Sequence, residues 1–290
     1  MNILITGANG QLGNHMRLLE SELQHRCFFT DVEELDITRR EEVFNFVLHN
    51  DVQLIINCAA YTNVDKAEDE EEVADRINND AVRYLADVMK AVGGRLIHVS
   101  TDYVFGGGQH NRPCLEDLPA CPTGAYGRTK LRGEQAIAEV GCRHVIIRTG
   151  WLYSEYGKNF VKTMLKVLSE RPVCKVVFDQ IGTPTYAGDL ARAICSIVNS
   201  DGLGSIDGIF NFSDEGVCSW YDFAVEIARQ ACITGCEVLP CHSDEFPSKV
   251  VRPSYSVLDK TKIKETFGLT IPHWTVSLKR CLAGIKNGVE

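Results

Sequence analysis

The chain has 290 residues, of which 44% are hydrophobic and 24% are charged, a composition typical of an ordinary globular protein. Its formal net charge is −9, which argues against a nucleic-acid partner because proteins that bind polyanions need a basic surface. No uncharged apolar stretch is long enough to span a bilayer, and the N-terminus lacks the basic and apolar regions of a signal peptide. We therefore expect a cytoplasmic protein with no membrane partner.

The first half of the chain alternates short β-rich runs with helical patterns, which indicates a parallel sheet with crossover helices. The strand candidates are almost entirely apolar, as expected where helices cover both faces of a sheet. They are Asn2–Thr6, Cys27–Thr30, Val52–Asn57, Arg95–Ser100 and His144–Arg148. The helical patterns between them are Gln11–Leu23, Arg40–His49, Glu72–Val92 and Gly124–Ala138. The predicted fold class is α/β, with a Rossmann-type doubly wound parallel sheet.

After Gly150 the alternation becomes less regular, which indicates a smaller, partly discontinuous C-terminal substrate lobe. Its predicted helices and strands are Asn159–Glu170, Lys175–Phe178, Ala187–Val198, a helix from Ser219 to about Cys232, Val238–Pro240 and a terminal helix from Thr275. A loop with Gly and Pro, Asp179–Thr185, precedes the helix that we expect to return to the sheet. Residues 1–150 with about 179–198 are predicted to form the dinucleotide-binding domain. The lobe then comprises about 151–178 and 199–290.

Three glycines, Gly7, Gly10 and Gly13, follow the first predicted strand and enter a helix. A glycine turn lets backbone amides approach a pyrophosphate, and the helix N-terminus adds favourable partial charge. Spaced glycines alone also serve ordinary tight turns, but a strand before them and a helix after them favour dinucleotide binding. Asp31 closes the second strand, where a carboxylate can accept hydrogen bonds from an adenine ribose or simply cap the strand end.

Tyr126 and Lys130 are spaced i, i+4 and therefore share one face of a predicted helix. A free tyrosine has a pKa of about 10, and a neighbouring cation is expected to lower it. The pair could then protonate an alkoxide as hydride arrives, or deprotonate an alcohol in the reverse direction. This spacing is also common on solvated helix surfaces, and its weight comes from the dinucleotide-type turn earlier in the chain.

Ser100, Thr101 and Asp102 follow the fourth predicted strand, at the carboxyl edge where open α/β sheets bind ligands. A hydroxyl at this edge can donate a hydrogen bond to a substrate carbonyl and hold it over the nicotinamide. The alternative interpretation is that Ser and Thr cap the loop, as they often do at strand ends.

Together these residues resemble the extended short-chain dehydrogenase/reductase superfamily, which combines a glycine motif with Ser/Thr, Tyr and Lys. Further segments resemble the dTDP-4-dehydrorhamnose reductase family in particular. They are residues 56–68 (INCAAYTNVDKAE), 100–105 (STDYVF), 148–153 (RTGWLY), 157–161 (GKNFV), 179–185 (DQIGTPT) and 252–258 (RPSYSVL). The resemblance extends from Met1 to about Leu258.

The resemblance implies reduction, by NADPH or NADH, of the 4-keto group of a nucleotide-linked 6-deoxyhexose to give dTDP-L-rhamnose. It implies that Thr101 orients the keto oxygen, Tyr126 supplies the proton, and Lys130 binds the nicotinamide ribose and tunes Tyr126. Asp102 and Trp151 are implied as sugar contacts. The implied cofactor contacts are Gly10, Gln11, Leu12, Asp31, Asp36, Ile37, Ala60, Tyr61 and Thr62. The expected partner is a small-molecule nucleotide sugar, and a homodimer is one assembly compatible with the resemblance.

No metal site is predicted, although the chain contains twelve cysteines. In a cytosolic protein, cysteines are more often buried apolar side chains than disulfides. Cys232, Cys236, Cys241 and His242 lie close in sequence, but they lack the CxxC spacing of zinc sites. His15 occupies a helix position that is acidic in magnesium-dependent relatives.

Two other functions are alternatives to reduction. A sugar-nucleotide epimerase or dehydratase belongs to the same superfamily, but dehydratases place acidic residues beside the threonine, and here Tyr103 follows Asp102. A regulatory subunit, like the relative associated with methionine adenosyltransferase, does not need catalytic residues. This chain retains Thr101, Tyr126 and Lys130 together, which favours an enzyme.

Overall fold

The computed structural model describes residues 1–108, 111–246 and 248–288, and the side chains of residues 201 and 202 are also outside the description. Its strands are β1 (Asn2–Thr6), β2 (Arg26–Thr30), β3 (Leu54–Asn57), β4 (Arg95–Thr101), β5 (Arg143–Thr149), β6 (Leu152–Tyr153), β7 (Val173–Val177), β8 (Ile181–Gly182), β9 (Thr185–Tyr186), β10 (Gly208–Asn211), β11 (Cys218–Ser219) and β12 (Glu237–Cys241).

The α-helices of the described residues are α1 (Gln11–Leu18), α2 (Glu20–Leu23), α3 (Arg40–His49), α4 (Val64–Ala67), α5 (Glu71–Asp75), α6 (Ala81–Val92), α7 (Ala125–Val140), α8 (Phe160–Glu170), α9 (Ala187–Val198), α10 (Trp220–Ala231), α11 (Thr261–Phe267) and α12 (Trp274–Lys286). A π-helical turn, Arg76–Asp80, joins α5 to α6, and a 3₁₀ turn, Asp102–Phe105, follows β4.

A parallel sheet in the order β10-β5-β4-β3-β1-β2 forms the centre of the molecule. Its two faces are covered by helices, because successive side chains of each buried strand point to opposite sides. Ile3 and Ile5 of β1 pack against α1 and α9, whereas Leu4 packs in the cluster that includes α3 and α6. The predicted α/β class and doubly wound parallel sheet are confirmed.

Two predicted helices differ from the observed ones. The pattern Gln11–Leu23 forms α1 and α2, because the chain bends at Leu19, whose N–H is shared between the carbonyls of His15 and Met16. The pattern Glu72–Val92 contains the π-helical turn. Asn78 in this turn donates to the Tyr61 carbonyl and to the Thr129 hydroxyl, both at 3.1 Å, and thereby connects the turn to α7.

The C-terminal part of the chain divides between the sheet and a second core. Strand β10, within the range 199–290 that the sequence analysis assigned to the lobe, pairs with β5 in the main sheet. Phe210 of β10 and Ile263 of α11 lie in the core on one face of that sheet. The second core is formed mainly by α8, α10 and α12 with β7, and Tyr153 and Phe223 are fully buried in it. Between the two cores, the predicted loop Asp179–Thr185 contains β8 and the start of β9.

Candidate active site

A cleft of about 1180 Å³ lies at the carboxyl ends of the parallel strands and extends to the second core. Open α/β sheets bind ligands at this edge. The predicted site residues that line the cleft are Gly7, Gly10, Gln11, Leu12, Asp31, Asp36, Ile37, Ala60, Thr62, Thr101, Asp102, Tyr126, Lys130 and Trp151. Gly13 and Tyr61 are not in the lining.

The three glycines after β1 have different structural roles. Gly7 adopts φ +64°, and a methyl group there would lie 2.6 Å from the backbone nitrogen of Ala59. A methyl group on Gly13 would lie 2.3 Å from the Gly7 carbonyl oxygen. At Gly10, leaving out its chain neighbours, such a group would approach the Gly7 oxygen at 3.2 Å, a tight but single contact among the described residues. Gly7 and Gly13 therefore keep the turn compact, while Gly10 is less crowded and lines the cleft.

The glycine turn has the features that a dinucleotide pyrophosphate requires. Helix α1 begins after Gly10 with no side-chain cap on its first turn, so its N-terminal amides remain for a phosphate. The Gln11 side-chain oxygen accepts hydrogen bonds from Ser154 and Asn159, both at 3.1 Å. Gln11 thus joins the start of α1 to the segment that leads into the second core.

Asp31 borders the cleft at the end of β2 and also ties the local backbone together. One carboxylate oxygen accepts from the Asn9 amide at 2.9 Å, and the other accepts from the Val32 amide at 2.8 Å. Within the protein, Asp31 therefore acts as a cap for backbone amides at the strand end. Because it also lines the cleft, a contact with a ribose is compatible with this position. The glycine turn, the open first turn of α1 and this carboxylate together fit a dinucleotide.

Tyr61 is turned away from the cleft although its neighbours Ala60 and Thr62 line it. The Tyr61 hydroxyl donates to Glu70 at 2.8 Å, and its backbone N–H donates to the Asn78 side chain at 2.9 Å. These contacts give Tyr61 a part in holding the chain after β3 against the π-helical turn.

Tyr126 and Lys130 lie one turn apart on α7 and both line the cleft. Burial raises the pKa of Tyr126 to about 12, although a hydrogen bond with Thr101 lowers it and the charge of Asp102 raises it further. The expectation that Lys130 lowers the pKa of Tyr126 is wrong for this structure. The amine of Lys130 lies 2.7 Å from the Val99 carbonyl oxygen and 3.2 Å from Nε2 of His98. Tyr126 is therefore a neutral phenol at ordinary pH, which is the form that can give a proton.

Burial also acts on Lys130, in the opposite direction. The lysine is 1% exposed, and the loss of solvation lowers its pKa to about 8, while the charge of Glu134 one turn further along α7 raises it. Glu134 is itself buried, and it accepts hydrogen bonds from Ser100 at 2.5 Å and from Arg148 at 2.7 Å. These contacts hold the face of α7 that carries Lys130 and Glu134 against β4 and β5.

Thr101 and Asp102 are positioned where β4 ends. The Thr101 hydroxyl accepts from the Tyr103 amide at 3.2 Å and so caps the 3₁₀ turn, while its position in the lining leaves it able to meet a ligand. Burial raises the pKa of Asp102 to about 6. A methyl group at Gly150 would lie 2.6 Å from the Asp102 carboxyl group, so glycine allows this carboxyl group to approach the end of β5.

Three aromatic side chains form another part of the cleft lining. The ring of Trp151 stacks on Trp220, with centroids 3.5 Å apart and planes inclined by 7°, and Phe160 packs against Trp220 at 4.6 Å. Trp151 has φ +51°, and its indole covers Gly182, where a methyl group would lie 2.6 Å from the ring. We call Trp151, Trp220 and Phe160 the aromatic wall.

Sequence reasoning named Trp151 but missed Trp220 and Arg252 as lining residues. Arg252 forms an ion pair with Asp65 at 3.0 Å and lies in the segment 252–258 that carried the resemblance. Trp220 is the first residue of α10, where Ser219 and Asp222 form a capping box. That capping pattern could have placed Trp220 at a helix start, where its ring can face a cleft.

His15 is occupied by protein contacts. Its Nε2 lies 3.0 Å from the Glu155 carboxylate, which also accepts from the Tyr186 hydroxyl at 2.7 Å. Within the part of the chain that the structure describes, no three His, Cys, Asp or Glu side chains are grouped as a metal site would need. No helix among the described residues is long and apolar enough to cross a membrane.

Comparison with known proteins gives a consistent result. Residues 1–287 match the family described as RmlD substrate binding domain. A dTDP-4-dehydrorhamnose reductase of Aggregatibacter actinomycetemcomitans is 38% identical over 291 residues, covering 97% of this chain and 98% of the relative.

Two solved structures extend the similarity to the fold. The dTDP-4-dehydrorhamnose reductase of Clostridium acetobutylicum is 40% identical with a TM-score of 0.93, covering 99% of this chain and 100% of that one. The Bacillus anthracis enzyme, solved in complex with NADP, is 37% identical with a TM-score of 0.92, covering 97% and 98%. The resemblance inferred from the motifs is confirmed, and this chain belongs to the RmlD substrate binding domain family.

Proposed function

We propose that this protein reduces the 4-keto group of dTDP-4-dehydro-L-rhamnose to the hydroxyl of dTDP-L-rhamnose, using NADPH or NADH. The observation that carries the proposal is the composition of one cleft. Its lining combines a glycine turn, the pair Tyr126 and Thr101, and the aromatic wall. This combination suits a dinucleotide, a reacting carbonyl and a hexose that bind in one cleft.

The reduced nicotinamide, when bound, supplies a hydride to C4 of the sugar. The residues of the chain supply the rest. In this structure the Thr101 hydroxyl donates to Asp102 at 3.2 Å, and with substrate bound it would donate to the keto oxygen instead. Tyr126 would hold the proton that this oxygen needs when it becomes an alkoxide. Because an alkoxide is far more basic than a phenolate, a phenol with a pKa near 12 remains an effective donor. Lys130 would bind the nicotinamide ribose from α7.

The sugar is expected to contact the aromatic wall with its apolar face, since such faces pack well on indole rings. Asp102, buried beside Thr101, would accept hydrogen bonds from sugar hydroxyls. Glycine at position 150, next to Trp151 in the chain, leaves room for the Asp102 carboxyl group, which a side chain there would displace.

The direct test is to incubate the protein with NADPH or NADH and the dTDP-4-keto sugar, and to follow loss of the reduced-nicotinamide absorbance. We expect stoichiometric oxidation of the cofactor and formation of dTDP-L-rhamnose, identified by mass and by NMR. An epimerase or dehydratase would change the sugar with no net oxidation of the cofactor. A regulatory subunit would bind the dinucleotide and leave both compounds unchanged. Either result would refute the proposal.

A further inference from the structure

A row of buried polar side chains crosses the main sheet beneath the cleft. Thr6 of β1, Asn57 of β3 and His98 of β4 are register partners on three adjacent strands, so their side chains lie side by side on one face. At the end of this row is Lys130 of α7. All four are at most 1% exposed, and polar groups this deeply buried must satisfy one another.

The direction of the hydrogen bonds is fixed at Asn57. Its Oδ1 lies 3.2 Å from the Ala59 backbone nitrogen, which can only donate, and Oδ1 also accepts from the Thr6 hydroxyl at 2.7 Å. The Asn57 amide group Nδ2 therefore faces Nδ1 of His98, at 3.0 Å. Because an amide NH₂ can only donate, Nδ1 of His98 must be the acceptor.

A neutral imidazole that accepts at Nδ1 carries its proton on Nε2. His98 is neutral, since burial holds its pKa well below the usual value, and Lys130 lowers that pKa further whenever the lysine is protonated. Its Nε2–H lies 3.2 Å from the amine nitrogen of Lys130. An ammonium group has no lone pair to accept this hydrogen, whereas a neutral amine has one and can still donate to the Val99 carbonyl, 2.7 Å away.

We propose that His98 is a positioning residue for Lys130: oriented by Asn57, it presents an N–H to the lysine, holds its side chain at the cleft and disfavours its ammonium form. This inference deepens the proposed function, because Lys130 acts in it. Neither Asn57 nor His98 lines the cleft. They would therefore act on a bound ligand only through Lys130.

The other charged and titratable groups near Lys130 are compatible with this assignment. On α7 they are Tyr126, a neutral phenol, and Glu134, whose charge favours the ammonium. Glu134 is engaged by Arg148 of β5 and Ser100 of β4. On β4, His98 alone faces the amine from the side of the sheet. Burial, which lowers the pKa of Lys130, and the N–H of His98 thus act in the same direction, against the ammonium form.

The first experiment uses the wild-type protein without cofactor or substrate. Two-bond ¹H–¹⁵N NMR correlations of the histidine rings, assigned with His98→Gln, report which nitrogen carries the proton. We expect the Nε2–H form for His98. Finding the proton on Nδ1, or a doubly protonated ring near neutral pH, would overturn the proposal. This measurement is independent of whether the protein reduces the proposed sugar.

The second experiment compares two nearly isosteric variants, Asn57→Leu and Thr6→Val. Asn57→Leu removes the donor that fixes the tautomer, so Nε2 becomes free to accept from an ammonium group. The titration midpoint of Lys130, followed by ¹³C NMR of its ε-carbon, should rise by about one pH unit, because a hydrogen bond to a charged group is worth roughly that shift. Thr6→Val removes one contact of Asn57 but leaves the Ala59 amide to orient it, so the midpoint should stay at the wild-type value.

The same shift should appear in the pH profile of NADPH affinity, measured by fluorescence titration of each variant. A role of Asn57 in stability alone would lower the melting temperature without moving either midpoint. Equal Lys130 midpoints in wild type, Asn57→Leu and Thr6→Val would refute the proposal. If Asn57→Leu fails to fold, the tautomer of the wild-type ring still decides the question.

Discussion

Two parts of the cleft lining differ in the atoms that they present. In the part proposed to hold the nucleotide, the surface is backbone: Gly7, Gly10 and the start of α1 come from one short stretch of chain. In the part proposed to hold the sugar, the surface is the aromatic wall, whose three side chains come from three separate segments. A side chain that enters the space beside a backbone excludes the ligand, whereas the loss of one ring from a stacked surface removes only part of the contact area. Substitutions should therefore have almost all-or-none effects in the first part and graded effects in the second.

The largest effect is expected for Gly10→Val. The first side-chain atom would lie 3.2 Å from the Gly7 oxygen, a contact that a small shift of the turn relieves, so the variant should fold, but the branched side chain would fill the space needed by a pyrophosphate. We expect no measurable binding of NADPH or NADH by calorimetry, with an unchanged circular dichroism spectrum. Gly235→Val is the matched control, because a methyl group at Gly235 meets no atom within 4 Å. A folded Gly10→Val protein with normal cofactor affinity would contradict the phosphate-turn assignment.

Tyr126→Phe tests the proposed proton donor, which lines the same cleft. Turnover should fall by at least ~10²-fold, the usual contribution of a general acid. Cofactor affinity should barely change, because the phenol does not contribute to holding adenine or pyrophosphate. Rapid-mixing kinetics and fluorescence titration on one preparation measure both quantities. Near-normal turnover of the variant would show that the proton comes from another group.

Trp151→Ala tests whether substitutions in the aromatic wall have graded effects on sugar binding. Because Trp151 lines the cleft and stacks on Trp220, we expect a higher KM for the sugar nucleotide with a modest loss of stability. A buried core tryptophan would instead lose roughly 3–5 kcal/mol on truncation. Trp220→Ala is the partner variant and should raise KM in the same direction. A large drop in melting temperature with an unchanged KM would assign Trp151 to the core.

The same difference, between features built from one stretch of chain and features assembled from distant segments, explains which parts of the site the sequence predicts. The glycine turn and the Tyr126–Lys130 spacing are local patterns, and each retains its meaning once a strand and a helix are placed around it. Trp220 belongs to a segment with no recognised motif, and its neighbours in the wall are distant in the chain. Likewise β10 was missed because it is four residues long and begins at Gly208, so it carries little strand signal by itself.

The state of Tyr126 could not be predicted for another reason. An i, i+4 spacing brings two side chains to one helix face, but it does not say where the lysine amine points. In the folded protein that amine is directed to His98 and to the Val99 carbonyl, and burial determines the pKa of the phenol. Such an outcome depends on the strands beneath the helix, which only the tertiary structure supplies.

The smallest effect is expected for the choice between NADH and NADPH, which we assign to Asp31 in the cleft lining. The Asp31 carboxylate can accept a hydrogen bond from the ribose 2′-hydroxyl of NADH, and it repels the 2′-phosphate of NADPH at contact distance, where screening is weak. Arg39 and Arg40 are the cations that follow in the chain and could offset this repulsion, but Arg39 pairs with Glu42 at 2.8 Å and Arg40 with Asp87 at 3.8 Å, and neither lines the cleft. We therefore predict that NADH is used at least comparably with NADPH.

Asp31→Ala should shift the ratio of kcat/KM towards NADPH, measured for both cofactors in wild type and variant. Because Asp31 also accepts from the Asn9 and Val32 amides, alanine loosens the turn as well as removing the charge. Asp31→Asn separates these effects, since its amide oxygen keeps one acceptor without the charge. If charge governs the choice, Asn and Ala should shift the ratio alike, while a loosened turn should lower both kcat/KM values for Ala alone. A wild type that prefers NADPH a hundredfold, with the ratio unchanged in both variants, would show that Asp31 only holds the turn to β2.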